Sequence, residues 1–392
     1  MKKATRQQIK THNNRLILKS IYDNPEISRA DIARLTGLTR TTVSDVVSDL
    51  MTDGLVEEVA VGPSAGGKPP ILLNVIDDSR TMIGIDLANS EFRGAIVNLR
   101  GQIKQRVSLP IKEQDGEAAL DLVYQVIDSL LPEQPILGIG IGTPGLMDAH
   151  KGVVHNAVNL NWKNLPLRDL LQQRYGLPVY IANDSQVAAL AEHTFGGSKD
   201  ADTSNLVVIK VGRGIGAGLI INRQLYYGDG FGAGEIGHVV VVENGDLCRC
   251  GNRGCLETVA SSRAMVRLAQ ERFAESQLDQ FAARPEAITT NTLVQAYEAG
   301  DATVEAIVRQ AGGYLATAVA NLVGILNIER IVIAGSTARF GEGLIAPIRE
   351  RLDHLTLSAL AARTDVEVSH LGPDIVILGA AALLLANELG LN

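Results

Sequence analysis

Four side chains in an 18-residue stretch have the types and spacing of a metal site. His238, Cys248, Cys250 and Cys255 form the pattern H-x9-C-x-C-x4-C, and they include all three cysteines of the 392-residue chain. Thiolate and imidazole are soft or borderline donors that suit tetrahedral zinc. Three cysteines and one histidine leave no open coordination position, so the expected ion is structural and not catalytic. Gly251 and Gly254 lie between the last two cysteines, where a short loop must fold back on the ion. Three clustered cysteines make no disulfide framework, and the polar N-terminus has no apolar core of signal-peptide length. No apolar run reaches ~18 residues, so no membrane-spanning helix is expected and the protein is read as cytoplasmic.

The elements flanking this loop fall into a head and a body. In the head, Leu16, Ile17 and Ile21 have helical spacing, and Asn24-Pro25 ends that helix. Ser28 with Asp31 three residues on is a capping-box pattern for a second helix. Ile32, Ala33 and Leu35 are expected on its apolar face, with Gly37 at its end. Thr39 can cap a third helix that carries Val43, Val46, Val47 and Leu50. Two strands, Leu55–Val61 and Ile71–Ile76, flank a Gly/Pro-rich loop. Three helices and a hairpin in this order describe a winged helix-turn-helix over residues 1–76. Arg40, Thr41, Thr42 and Ser44 open the third helix, where hydroxyls and amides meet phosphates and Arg reaches guanine. Lys68 at the wing tip supplies one positive charge toward the DNA backbone.

The body, residues 77–392, alternates strands and helices, which means an α/β fold with covered sheets. Strands are expected at Met82–Asp86, Phe92–Asn98, Ile136–Ile141, Val179–Ala182, Leu206–Val211, Gly218–Ile221 and Ile331–Ala334. The net charge of −8 speaks against nucleic acid for the chain as a whole, since phosphate neutralisation needs Lys and Arg. Split at residue 80, the picture changes. The first 80 residues carry eleven Lys/Arg against ten Asp/Glu, and the remainder carries 25 against 34. The acid belongs to the body, and the first 20 residues hold six bases and no acid.

Gly234-Glu235-Ile236-Gly237-His238 followed by Cys248-Arg249-Cys250-Gly251-Asn252-Arg253-Gly254-Cys255-Leu256-Glu257 resembles the signature of the ROK family, named for repressors, open reading frames and kinases. The winged head resembles that family's repressor branch, the regulators of xylose, glucose or N-acetylglucosamine genes. The resemblance implies a two-lobed actin-like ATPase (ribonuclease H-like) fold. Lobe 1 would cover about 80–195 plus a C-terminal helix at 376–392, and lobe 2 about 196–375. It also implies a homodimer or dimer of dimers, a palindromic double-stranded DNA operator and a monosaccharide effector.

Carried over by motif, Asn183-Asp184 matches the corner where family kinases hold their catalytic base. Glu235, His238 and Glu257 match the sugar-contacting set, and Asn159 is a further hydroxyl contact. A carboxylate beside an amide can bind two sugar hydroxyls. The nucleotide motifs depart from the kinase pattern. Asp-x-Gly-Gly-Thr reads Asp86-Leu87-Ala88-Asn89-Ser90, the second loop carries Arg213 in place of Thr, and Gly-Gly-Gly-Val reads Ala334-Gly335-Ser336-Thr337. Phosphate binding needs close backbone approach, which a Cβ obstructs. The expected protein is a sugar-responsive repressor without kinase activity. The alternative is an active ATP-dependent sugar kinase with a fused DNA-binding head.

Overall fold

A computed structural model describes residues 5–63, 69–88, 90–112, 114–131, 136–197 and 204–391. Lys68 and Asn89, singled out above, lie outside the described residues.

The head begins with α1 (Arg6–Asp23), β1 (Ile27–Ser28), α2 (Arg29–Thr36) and α3 (Arg40–Thr52), followed by β2 (Val56–Val61) and β3 (Ile71–Val75). Ser28 and Thr39 cap α2 and α3, each accepting from the backbone N–H three residues on. Gly37 ends α2 in a left-handed conformation. Val43, Val46, Val47 and Leu50 are all buried, as their spacing requires. Leu35 is a correction: it is 63% exposed, because the short α2 presents only Ile32 fully to the core. The two-residue β1 adds to the hairpin as a third strand, in the order β1-β3-β2.

The body contains two five-stranded sheets. The first is built from β4 (Thr81–Leu87), β5 (Glu91–Asn98), β6 (Ile103–Pro110), α4 (Gly116–Asp128) and β7 (Ile139–Thr143). A small side sheet follows, β8 (Leu146–Asp148), β9 (Val153–Ala157) and β10 (Trp162–Leu165), then α5 (Leu167–Tyr175), β11 (Val179–Asn183) and α6 (Asp184–Phe195). The strand order is β11-β7-β4-β5-β6. The strand expected at Ile136–Ile141 runs instead from Ile139 to Thr143, because its parallel pairing with β4 and β11 begins only at Ile139.

The second sheet has the order β14-β13-β12-β15-β16. It comprises β12 (Leu206–Val211), β13 (Ile215–Ile221) and β14 (Gln224–Leu225), then β15 (Arg330–Ala334) and β16 (Asp365–Val368). Between these strands come α7 (Leu256–Ala260), α8 (Ser262–Glu271), α9 (Thr290–Glu298) and the 25-residue α10 (Ala302–Leu326). The helices α11 (Glu342–Leu355) and α12 (Ser358–Ala361) separate β15 from β16.

The chain ends in α13 (Ile375–Leu384) and one π-helical turn, Leu385–Leu389. The segment Gly372–Leu389 is long and apolar enough to cross a membrane, which corrects the expectation that no such segment exists. Asp374 and Glu388 interrupt the run at the sequence level but fall at its two ends. All ten residues of α13 are buried, and the helix lies on the first sheet and against α6. Its approach is too close for side chains. A Cβ at Gly84 would stand 2.3 Å from the Ile377 carbonyl oxygen, and one at Gly140 would stand 1.8 Å from that of Ala380.

The head, the first sheet and one face of the second share one continuous apolar core, running from Ile17, Ile21 and Val47 through Met82 and Leu384 to Val208 and Val332. Polar contacts reinforce the joint. Tyr22 donates its hydroxyl to the Leu99 carbonyl at 2.8 Å. Arg100 stacks 4.1 Å from the Tyr22 ring centroid and donates to the Tyr22 carbonyl. Arg15 donates to the carbonyl of Asn387 in the π-helical turn. Arg100→Ala removes the stacked guanidinium and its hydrogen bonds, a loss of about 1–3 kcal/mol. The expected outcome in scanning calorimetry is a low-temperature transition for the head, split from the unfolding of the body.

Candidate functional site

The end of β11 and the start of α6 form a sharp corner at Asn183-Asp184. Asn183 caps α6, accepting from Ser185 N–H at 2.9 Å, and its amide donates to the Gly145 carbonyl at 3.1 Å. Asp184 follows at the first helical position, where the helix dipole favours a carboxylate. Its Oδ1 accepts from the Ser185 hydroxyl and its Oδ2 from Lys210 Nζ at 2.8 Å. Lys210 comes from β12, so this ion pair joins the two sheets.

The opposite wall is the loop after β14. Its fold depends on glycine. Gly234 has φ +95°, and a Cβ there would lie 1.9 Å from the Ala217 carbonyl oxygen. The loop therefore lies directly on the β13 backbone. It presents Glu235 and His238, and Glu257 follows in the first turn of α7. Glu257 Oε2 accepts from Ile215 N–H at 3.1 Å. Burial raises the Glu235 carboxyl above the usual range, opposed by His238 and reinforced by Asp184 and Glu257.

Between the walls lies a cleft of about 630 Å³, lined by Asn159, Asn183, Asp184, Glu235, His238 and Glu257 together with Lys210 and Arg213. The structure thus brings all six candidate sugar contacts to one cavity. They are not equally available. Both polar ends of the Asn183 side chain are engaged as described, and the Asn159 carbonyl accepts from Arg249 at 2.8 Å across the cleft mouth. Asp184, Glu235, Glu257 and the His238 ring remain the polar groups directed at the cavity. Lys210 and Arg249 were not anticipated. The one sequence signal for Lys210 is a lone charge inside the apolar run Leu206–Val211.

The four expected metal ligands also meet. Their donor atoms all lie within 4.8 Å of one another. His238 Nδ1 is 3.5 Å from Cys248 Sγ, and Cys250 Sγ is 3.6 Å from Cys255 Sγ. A tetrahedron with metal–sulfur bonds of ~2.3 Å and metal–nitrogen bonds of ~2.0 Å has edges of about 3.5–3.8 Å, so the donor set fits a structural zinc ion. The other ring nitrogen, Nε2, faces Glu235 at 3.8 Å.

In the head, Arg40, Thr41 and Ser44 are exposed on α3. Thr42 is half-buried, and its hydroxyl bonds that of the cap Thr39 at 2.9 Å. Asp49, an acid on the same helix, is paired with Lys10 of α1.

Residues 82–387 match the ROK family, and residues 10–57 match the winged helix-turn-helix DNA-binding family. The chain belongs to the ROK family. It is 35% identical over 390 residues to a xylose repressor of Caldicellulosiruptor bescii, covering 97% of each chain. It is 34% identical over 313 residues to a glucokinase of Thermotoga maritima, covering 77% of this chain and 96% of that one. Among solved structures, a ROK family transcriptional regulator homologous to the E. coli MLC protein superposes with a TM-score of 0.84 at 28% identity, covering 98% of both chains. A ROK family glucokinase from Streptomyces griseus, in complex with glucose and AMPPNP, superposes with a TM-score of 0.72 at 27% identity, covering 77% of this chain and 98% of that one. The fold is a winged helix fused to the family's actin-like ATPase body.

The ligand loop should be intolerant of side chains where its backbone is pinned. Gly251 and Gly254 both have positive φ, but a Cβ at Gly251 meets nothing within 4 Å, whereas one at Gly254 would stand 1.7 Å from the Val242 carbonyl oxygen. Gly251→Ala should cost only the ~1–2 kcal/mol of a left-handed alanine. Gly254→Ala adds a backbone clash and should cost well above that, about 4 kcal/mol or more. Chemical denaturation of the two variants measures the difference.

Proposed function

We propose that this protein is a sugar-responsive transcriptional repressor of carbohydrate-utilisation genes. A monosaccharide bound in the cleft releases it from its operator. The observation that carries the reading is the joint between head and body: Tyr22 and Arg100 tie the winged head to the first sheet, whose strand β11 leads into Asp184. A ligand that draws the two walls together changes how the head-bearing sheet sits against the rest of the molecule. In a homodimer or dimer of dimers, such a change alters the separation of two heads on a palindromic operator. The ligand shifts DNA affinity by its differential binding to the two geometries. The xylose repressor relative, similar over nearly its whole length, supports the reading.

In this account Asp184, Glu235, Glu257 and His238 Nε2 bind sugar hydroxyls, and Asn183 and Asn159 act mainly by fixing the corner and the cleft mouth. A zinc ion on His238, Cys248, Cys250 and Cys255 would fix the loop and supply no chemistry to the ligand. Arg40, Thr41 and Ser44 contact the operator, with Thr42 completing the cap, and Lys68 is a further proposed DNA contact. The protein works in the cytoplasm, where its DNA and sugar are found.

The glucokinase relatives favour a second reading, phosphoryl transfer to the bound sugar. The third nucleotide motif speaks against it: the Thr337 hydroxyl is buried and donates to the Val211 carbonyl, so its proton is already engaged. A kinase would release ADP in a sugar-dependent way that Asp184→Asn abolishes, and the repressor should release none across a broad sugar panel. A second test separates the two ends of the molecule. Asp184→Ala should keep operator binding and lose its response to sugar. Arg40→Ala/Ser44→Ala should keep sugar binding and weaken operator binding by about 10-fold or more. Fluorescence anisotropy with the protein's own upstream DNA and calorimetry with monosaccharides read both.

A further inference from the structure

Lys210 is a cation where strand packing alone supplies no reason for one. The five other residues of β12 are buried and apolar. Its ammonium donates to Asp184 Oδ2 at 2.8 Å from the floor of the cleft. A second carboxylate, Asp86 at the end of β4, is 2% exposed, held by Arg93 from β5, and acts on Lys210 through space. An ammonium only partly exposed to water is costly to place unless opposite charges accompany it. Here Asp184 and Asp86 do so, and they raise the Lys210 pKa against the effect of burial. Burial likewise pushes the Asp86 carboxyl upward, opposed by Lys210 and Arg93. Two acids and two bases leave the cluster formally neutral.

Asp184, paired with the Lys210 ammonium beside a glycine-rich turn at the base of a sugar-sized cleft, with the charge of Asp86 acting on the same ammonium, has the kind of surroundings that phosphoryl-transfer sites give to a divalent ion. In this chain the position is taken by a side chain. We propose that Lys210 is a built-in cation that replaces the metal of a metal–nucleotide complex, so that the cleft admits an uncharged sugar and excludes divalent ions and the nucleotides they carry. The sugar part of this statement rests on the repressor reading; the cation part rests on the Asp86–Lys210–Asp184 cluster alone. Lys210 also positions Asp184 by occupying one of its oxygens, and it keeps further N–H donors for a hydroxyl of the ligand.

Manganese(II), an oxygen-seeking ion poorly matched to a thiolate site, is a suitable probe. The full-length, zinc-loaded protein is titrated with Mn²⁺ and followed by electron paramagnetic resonance, in parallel with monosaccharide calorimetry. The wild type should take up no Mn²⁺ in the cleft. Lys210→Met should gain one Mn²⁺ site per chain, tighter by about tenfold or more than any wild-type binding, because Asp184 has lost its counter-charge while Asp86 keeps only Arg93. Asp184→Asn added to Lys210→Met should remove that site again. A Lys210→Met protein that unfolds at the wild-type temperature and gains no Mn²⁺ overturns the proposal. So does a wild-type protein that binds one Mn²⁺ per chain and loses it in Asp184→Asn, a result that needs no variant at position 210. If the Mn²⁺ results come out as expected while no monosaccharide binds the wild type, the cation assignment stands and the sugar reading fails.

Discussion

An ammonium and a carboxylate 2.8 Å apart, Lys210 on β12 and Asp184 at the head of α6, join the two sheets of the body at the floor of the cleft. The pair works because each member is supported from its own side. Asp184 sits on the α6 N-terminus behind the Asn183 cap, and Lys210 projects from a strand that is otherwise apolar. Removing one partner of such a half-buried pair leaves the other without its counter-charge, which makes the junction selective about what is placed beside it.

Glycine sets the second constraint. α13 reaches the first sheet because Gly84 and Gly140 let helix backbone approach strand backbone, and the 234–238 loop reaches β13 in the same way at Gly234 and Gly237. Close approach leaves little room for these elements to slide. In the proposed closure around the cleft, each half would move as a rigid body and not deform within itself. The head follows the first sheet because Tyr22, Arg100 and Arg15 tie it to that sheet and to the chain's final turn.

Much of this was legible in the residues. Cap chemistry at Ser28 and Thr39, helical spacing in α3 and the alternation of strands and helices all act over a few positions, and each appears where local physics places it. The His238–Cys255 cluster was legible because four unusual donors lie close along the chain. The pairs that cross the molecule were not. Arg15 meets Asn387 over 372 positions, Tyr22 meets Leu99 over 77, and Lys210 meets Asp184 between different sheets. Nothing in local pattern encodes those distances. The same limit explains Asn159 and Asn183, whose types suit hydroxyl binding but whose amides are engaged by Arg249 and Gly145. Leu35 shows the reverse case, an apolar residue at a helical face position that a short helix leaves in solvent.

The central claim is that one ligand-binding event in the body controls DNA binding by the head. Its most direct test is a titration of the operator-bound, zinc-loaded protein with the monosaccharide that calorimetry identifies, read by DNA anisotropy. The account predicts that DNA is released over the same concentration range in which the cleft fills. Unchanged operator affinity with the cleft saturated would contradict it.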